Sequence, residues 1–300
     1  MRKITTTGFV FRENHGRLQS GAAAWLSLIA LMANPIFLAG HGDLHDRITA
    51  LDEQIKREPK KVELYVARGE LHSTHGDWDK ALADYDQASI LDPERIIVEL
   101  ARGQVLLAAG NYESARAALD RYLSKKPDDS AALVTRARTL AKLGRSAEAV
   151  HDYSKAIKEM AQPPPEYYLE RARVLAEQGK HDEAVRGIDE GASKVGRLLV
   201  LQLYVIDLLV QEKRYDDALG RLDPIIAQSP RKESWLARRG EILQQAGRKK
   251  EATKAYAEAL QSLASLPSYR RGGKAMQDLE ASVKSRLSQL EREAVASTQP

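Results

Sequence analysis

Small, apolar and aromatic positions return along this chain in the same order at a spacing of about 34 residues. The first cycle runs Gly69, Gly76, Trp78, Ala81, Tyr85, Ala88 and Pro93. The second places Gly103, Gly110, Tyr112, Ala115, Leu119, Tyr122 and Pro127, each 34 residues beyond its counterpart. Later cycles keep the frame: Ala137, Gly144, Ala149, Tyr153, Ala156; then Ala172, Gly179, Ala184, Ile188, Gly191; then Ile206, Tyr215, Ala218, Leu222, Ile225, Pro230; then Gly240, Gly247, Ala252, Tyr256, Ala259. One extra residue enters around Pro163-Pro164-Pro165. A period of this length is the mark of stacked supersecondary units, none of which can bury its apolar face alone.

Each cycle predicts two short helices and a tight turn. Gly69, Gly103 and Gly240, with Ala137 and Ala172, fall midway along the first helix, where a larger side chain would hold the second helix off. Gly76, Gly110, Gly144, Gly179 and Gly247 fall just past that helix, where a left-handed residue ends it at low cost. Trp78, Tyr112 and Tyr215 open the second helix. The column Tyr85, Leu119, Tyr153, Ile188, Leu222 and Tyr256 lies four residues after its small alanines, on the same face. Pro93, Pro127 and Pro230 end the second helix, and Pro224 inside one such helix predicts a kink.

The residues quoted above resemble the tetratricopeptide repeat, over roughly residues 62 to 264. The resemblance implies an all-α superhelical solenoid of about six helix-turn-helix repeats within residues 62–266. Leu44, Ile48, Leu51 and Ile55, stopped by Pro59, have helical spacing and predict an N-terminal capping helix within 41–61. Met276, Leu279, Val283, Leu287 and Leu290 form a stripe that predicts a C-terminal capping helix and tail over 267–300; the same stripe would serve as a dimer seam.

Composition agrees with a helical array, with 43% hydrophobic but only 6% aromatic residues in 300. The chain opens with Arg2, Lys3, Arg12 and Arg17, then a charge-free run from Gly21 to Gly40. That order is expected of a secretory signal peptide over 1–40, cleaved after Gly40 or Gly42, with Ala33 and Ala39 as other candidates. A retained membrane anchor is the competing reading, although Asn34-Pro35 interrupts the run. The cleaved form would be periplasmic or in the cell envelope. Residues 1–40 hold four basic residues and one acidic residue, so the remainder has 42 basic and 41 acidic, and net charge falls from +4 to +1. No electrostatic case for a nucleic-acid partner survives. With no cysteine, thiol chemistry is excluded. No phosphate loop, nucleophile elbow or metalloprotease spacing is present, so the expectation is a non-catalytic protein.

In the family resembled, the first helix of each hairpin lines a concave surface that binds a peptide or helix of a protein partner. That frame assigns to the groove Glu70, Gln104, Arg138, Lys142, Arg173, Glu177, Asp207 and Glu241, with Val66, Leu100, Val134, Leu169, Leu203 and Ala237 four residues before its main polar column. Arg138 and Arg173, flanked by Lys142, would together hold one carboxylate of a peptide. Pairing with Glu170, Glu177 or Asp207 inside the array is the alternative. Relatives that clamp a terminal carboxylate use paired Lys and Asn; Val66, Glu70, Leu100 and Gln104 occupy those places here. A second column, Arg68, Arg102, Arg136, Arg171 and Arg239, repeats in five of six units, which favours a structural role across to a neighbouring helix.

Four of the seven histidines, His41, His45, His72 and His75, gather in the predicted cap and first repeat. A chain beginning at His41 would offer an amine and an imidazole, and with His45 would bind copper or zinc as a metal-carrying module. His72 sits where the family places a packed apolar residue, so a core imidazole is the other reading.

Overall fold

The computed structural model of the protein describes residues 42–296, and within them there are fifteen helices and no strand. The expected export or anchor segment and His41 lie outside the described residues. Helix α1 (Gly42–Arg57) precedes six hairpins. The hairpins pair α2 (Val62–His75) with α3 (Trp78–Leu91), α4 (Ile97–Ala108) with α5 (Tyr112–Lys125), and α6 (Ser130–Lys142) with α7 (Ser146–Glu159). They continue with α8 (Pro165–Glu177) and α9 (His181–Val195), α10 (Leu199–Gln211) and α11 (Tyr215–Gln228), and α12 (Glu233–Gln245) and α13 (Lys249–Ala264). A single turn, α14 (Ser268–Arg271), leads to the long α15 (Lys274–Ala296). No described helix is long and apolar enough to cross a membrane.

The turn inside each hairpin is one repeated device. Asp77 N–H donates to the His72 carbonyl at 2.9 Å, Asn111 to Leu106 at 2.8 Å, Arg145 to Leu140 at 2.9 Å, Lys180 to Leu175 at 3.0 Å, Arg214 to Leu209 at 2.8 Å and Arg248 to Leu243 at 2.9 Å. These bonds reach over a residue in the left-handed region, which satisfies carbonyls that the helix end would leave open. Five turns use glycine, as at Gly76 with φ +87°. The sixth, in the hairpin of α10 and α11, uses Lys213 at φ +59°, the only positive-φ residue other than glycine among the described residues. A Cβ crowds the backbone there. Lys213→Gly is therefore expected to raise stability by about 0.5–1 kcal/mol, less than the full relief because glycine also loosens the unfolded chain; a higher urea midpoint at unchanged slope is the measurement.

Within hairpins the close approach is tighter than the sequence frame requires. An ideal Cβ on Gly69 would lie 2.6 Å from Tyr85, on Gly103 2.6 Å from Leu119, and on Gly240 2.5 Å from Tyr256. At these three positions even a methyl group collides. The facing Tyr85, Leu119 and Tyr256 are fully buried, so the rings and branches that fill the hairpin have no room to retreat. Helix α11 continues through Pro224 to Gln228.

The arginine column fastens hairpin to hairpin. Arg136 reaches forward 16 residues to Asp152 with bonds of 2.7 and 2.9 Å, and back 16 residues to Asp120 at 2.8 Å. Arg68 does the same with Asp84 and Asp52, at 2.6 Å each. Arg102 pairs back to Asp86, and Arg239 back to Asp223 at 3.1 Å. Arg171 substitutes Glu190 at 2.7 Å, the Gly187 carbonyl and the Ser154 hydroxyl. Each guanidinium thus sits on a first helix; Arg136 and Arg171 tie together the second helices on both sides, and Arg68 ties α3 to α1. Val205 occupies the column in the fifth hairpin, and the two positions 16 residues away, Asp189 and Arg221, pair directly with each other at 2.8 Å.

At the C-terminal end Val283 and Leu290 are buried, with Leu279 and Leu287 packed against the same apolar cluster as α13. The stripe expected to serve as cap or seam is therefore occupied inside the chain.

Candidate functional site

The first helices of successive hairpins lie against one another, and their shared face carries two parallel columns. The inner column, Val66, Leu100, Val134, Leu169, Leu203 and Ala237, is apolar throughout; Val134 and Ala237 are buried and the other four half-buried. The outer column, four residues on, is polar throughout: Glu70, Gln104, Arg138, Arg173, Asp207 and Glu241. All are exposed except Glu241, which is half-buried. Lys142 and Glu177, one further turn along, are exposed as well. An oily floor walled by charge follows from one residue choice made six times at the repeat period. Between α10 and α12 this face deepens into an open cavity of about 640 Å³ bounded by Leu203, Val210, Trp235 and Leu279.

The charges on the wall divide into bound and free. Arg138 makes two 2.9 Å bonds to Glu170, which also accepts the Tyr153 hydroxyl at 2.9 Å. The Arg138 guanidinium also lies 5.8 Å from the centre of the Tyr167 ring. These hydrogen bonds raise the arginine further above its ordinary range, and burial, followed by the Glu170 charge, pushes the Tyr153 phenol up. Arg138 is thus engaged inside the array, and the pairing of Arg138 with Arg173 on one outside carboxylate is not what the geometry offers. Asp207 and Glu241 share Arg238 at 2.6 and 3.1 Å, and Arg286 from α15 approaches Glu241 at 3.3 Å. Lys142, Arg173, Glu70 and Glu177 form no ion pair among the described residues. Glu70 remains exposed as a residue while the surrounding protein desolvates its carboxyl group, which pushes its pKa up from the ordinary carboxylate value.

The histidines are arranged differently. His72 is buried, and its Nδ1 lies 3.5 Å from Asp77 Oδ2. His75 Nδ1 lies 3.3 Å from the same oxygen, which Lys80 Nζ also approaches at 3.1 Å. A lysine cation on the shared carboxylate opposes a metal ion there. Among the described residues no group of three His, Asp or Glu side chains is placed to hold a metal, and His45 stands exposed on α1.

Trp235, Tyr167 and Tyr153 were outside the groove set drawn from the sequence, because that frame counts only the outward positions of each first helix. The signal for Tyr153 was present in its place on the core column, since its hydroxyl extends beyond the space that Leu119 or Ile188 fills.

Six hairpins of one length, closed by one turn and carrying a continuous first-helix face, define a helical repeat protein of the superhelical class. Three tetratricopeptide patterns match end to end, a tetratricopeptide repeat over residues 69–138, another over 134–192, and a tetratricopeptide repeat-like domain over 192–271. The chain belongs to the tetratricopeptide repeat family. Its fold is similar to that of a tetratricopeptide repeat protein from Parabacteroides merdae, at 20% identity and a TM-score of 0.52, over 81% of this chain and 93% of that one. It is also similar to the structure of Naa15/Naa10 bound to HypK-THB, at 16% identity and a TM-score of 0.50, over 86% of this chain and 45% of that one. MamA from Desulfovibrio magneticus matches over 51% of this chain and 85% of its own, at 18% identity and a TM-score of 0.48. No curated protein sequence matches.

Proposed function

We propose that the protein is a non-catalytic interaction scaffold that holds an extended or helical segment of a partner protein along the first-helix face. The observation that carries this reading is the unbroken apolar column from Val66 to Ala237 beside an exposed polar one. A segment laid across it buries apolar side chains on the floor, and its charges are sorted by the wall. The stacked hairpins are ordered before the partner arrives, so the partner supplies most of the ordering entropy of binding. Because Lys142 and Arg173 are the unpaired cations of the wall, the segment that fits carries an acidic residue opposite the third and fourth hairpins.

The reading extends to location. The basic, then apolar, then small-residue order of residues 1–40 supports export to the periplasm or cell envelope before the partner is met, and mass spectrometry of the mature N-terminus tests that step.

A photo-crosslinking residue at Gln104, in the groove, should trap a discrete partner in envelope extracts. The same residue at Ile90, which stands 73% exposed on the second helix α3, should not. Lys142→Glu with Arg173→Glu should remove the Gln104 adduct while thermal unfolding stays unchanged. An adduct that survives the double charge reversal, or forms equally from Ile90, defeats the proposal.

A further inference from the structure

The second helices of the fourth and fifth hairpins, α9 and α11, stand apart over a cleft of about 790 Å³ that continues between the starts of α10 and α12. Val205, fully buried, stands in the column where Arg136 and Arg171 bind the second helices on both sides of their own first helix. Here no guanidinium from the first helix ties α9 and α11; Asp189 pairs with Arg221 across them, and Asp182 pairs with Arg214 at the start of α11. Leu199, Pro224, Ile225 and Trp235 line the wall. At its edge three consecutive apolar residues face water, with Leu198 38%, Leu199 46% and Val200 54% exposed. The described surface has few large apolar side chains this open, and a run of them is the kind of patch that a partner covers.

The charges decide what covers it. Asp189 and Arg221 neutralise each other in a two-bond pair. Arg197, exposed on the wall, has no ion pair or hydrogen bond among the described residues. The cleft therefore offers one uncompensated cation beside an apolar trough, with the Gln202 and Gln228 amides in the wall able to bond to a peptide backbone.

We propose that this cleft is a second docking site, meeting the first-helix groove at Trp235 and otherwise lined by different residues, for an extended apolar peptide segment bearing a single carboxylate. The carboxylate pairs with Arg197 in charge-assisted hydrogen bonds. The apolar side chains pack on Leu199, Pro224 and Trp235, with the indole as the large rigid anchor of the contact. A basic or densely charged segment is rejected, because its extra charges would lie against an apolar wall with no partner.

The test is titration calorimetry of the full chain with two blocked pentapeptides, acetyl-Leu-Leu-Glu-Leu-Leu-amide and its Gln counterpart. The Glu peptide should bind about tenfold more tightly than the Gln peptide, with the ratio shrinking as salt is raised. Arg197→Gln, a change at an exposed unpaired residue that leaves the fold intact, should abolish the preference. Trp235→Ala should weaken both peptides about tenfold. Lys142→Glu with Arg173→Glu should change neither, which separates this site from the groove. Absence of binding by both peptides, a preference that persists in Arg197→Gln, or binding lost only in the groove double variant would overturn the proposal.

Discussion

Asp152→Ala is expected to destabilise the protein by about 3 kcal/mol, the range in which removing one partner of a buried ion pair falls. The Asp152 side chain is 2% exposed and takes two bonds from Arg136, whose own side chain is 24% exposed. Without the carboxylate, the guanidinium keeps only Asp120 and loses its partner on α7. The hydrogen bond to Asp152 is the main cause that raises the Arg136 pKa, so the arginine stays charged and cannot escape the loss by releasing its proton. Asp86→Ala removes the backward partner of Arg102, the counterpart of Asp120, but Asp86 is 61% exposed and water replaces it, so less than about 1 kcal/mol is expected. Urea unfolding of both variants measures the difference. Equal small effects would mean that the column is decoration on the surface instead of a fastening between hairpins.

The second large effect is expected at Gly240. A methyl there would lie 2.5 Å from Tyr256 Cε1, and Tyr256 is fully buried with its hydroxyl near the Gln244 side chain, 2.9 Å away. Either the ring leaves its rotamer and that bond, or α12 and α13 part. Gly240→Ala should therefore cost about 2–3 kcal/mol despite the better helix propensity of alanine. Gly220, in α11, has no atom within 4 Å of its ideal Cβ, and Gly220→Ala should instead stabilise by about 0.5–1 kcal/mol. Paired thermal melts decide the matter: a neutral Gly240→Ala would show that the hairpin closes with more slack than its geometry indicates.

The hairpins were legible because each recurring residue has a local physical duty that depends on no distant neighbour. Gly76 and its counterparts supply a left-handed turn, and Gly69 and its counterparts supply nearness. The arginine column was legible as a repeat, but its partners were not. The 16-residue offsets to Asp84 and Asp152 acquire meaning only when the pitch of the stack fixes which second helix faces which first helix. Arg138 stands in the sequence between two partners, an outside carboxylate and Glu170 within the array. Its repeat position marks it as a groove residue, and its neighbour Glu170, 32 residues on, captures it because adjacent first helices are close enough for a two-bond contact. Lys213 hid for the opposite reason. It stands in a glycine's place, and nothing in its own chemistry announces a left-handed backbone. The cleft was invisible too, since a valine at position 205 reads as ordinary core until the neighbouring helices are seen to lack their common tie.

That valine bears on how the array comes apart. The stability of a one-dimensional stack is a sum over units and the couplings between them. The coupling across Val205 lacks the two-sided guanidinium bonds that Arg136 and Arg171 supply in the third and fourth hairpins, and is left to the apolar core and to the pairs of Arg221 with Asp189 and Arg214 with Asp182. Heating should accordingly divide the protein at this joint, with the last two hairpins and α15 melting as a block of their own and the calorimetric peak broader than a single cooperative transition.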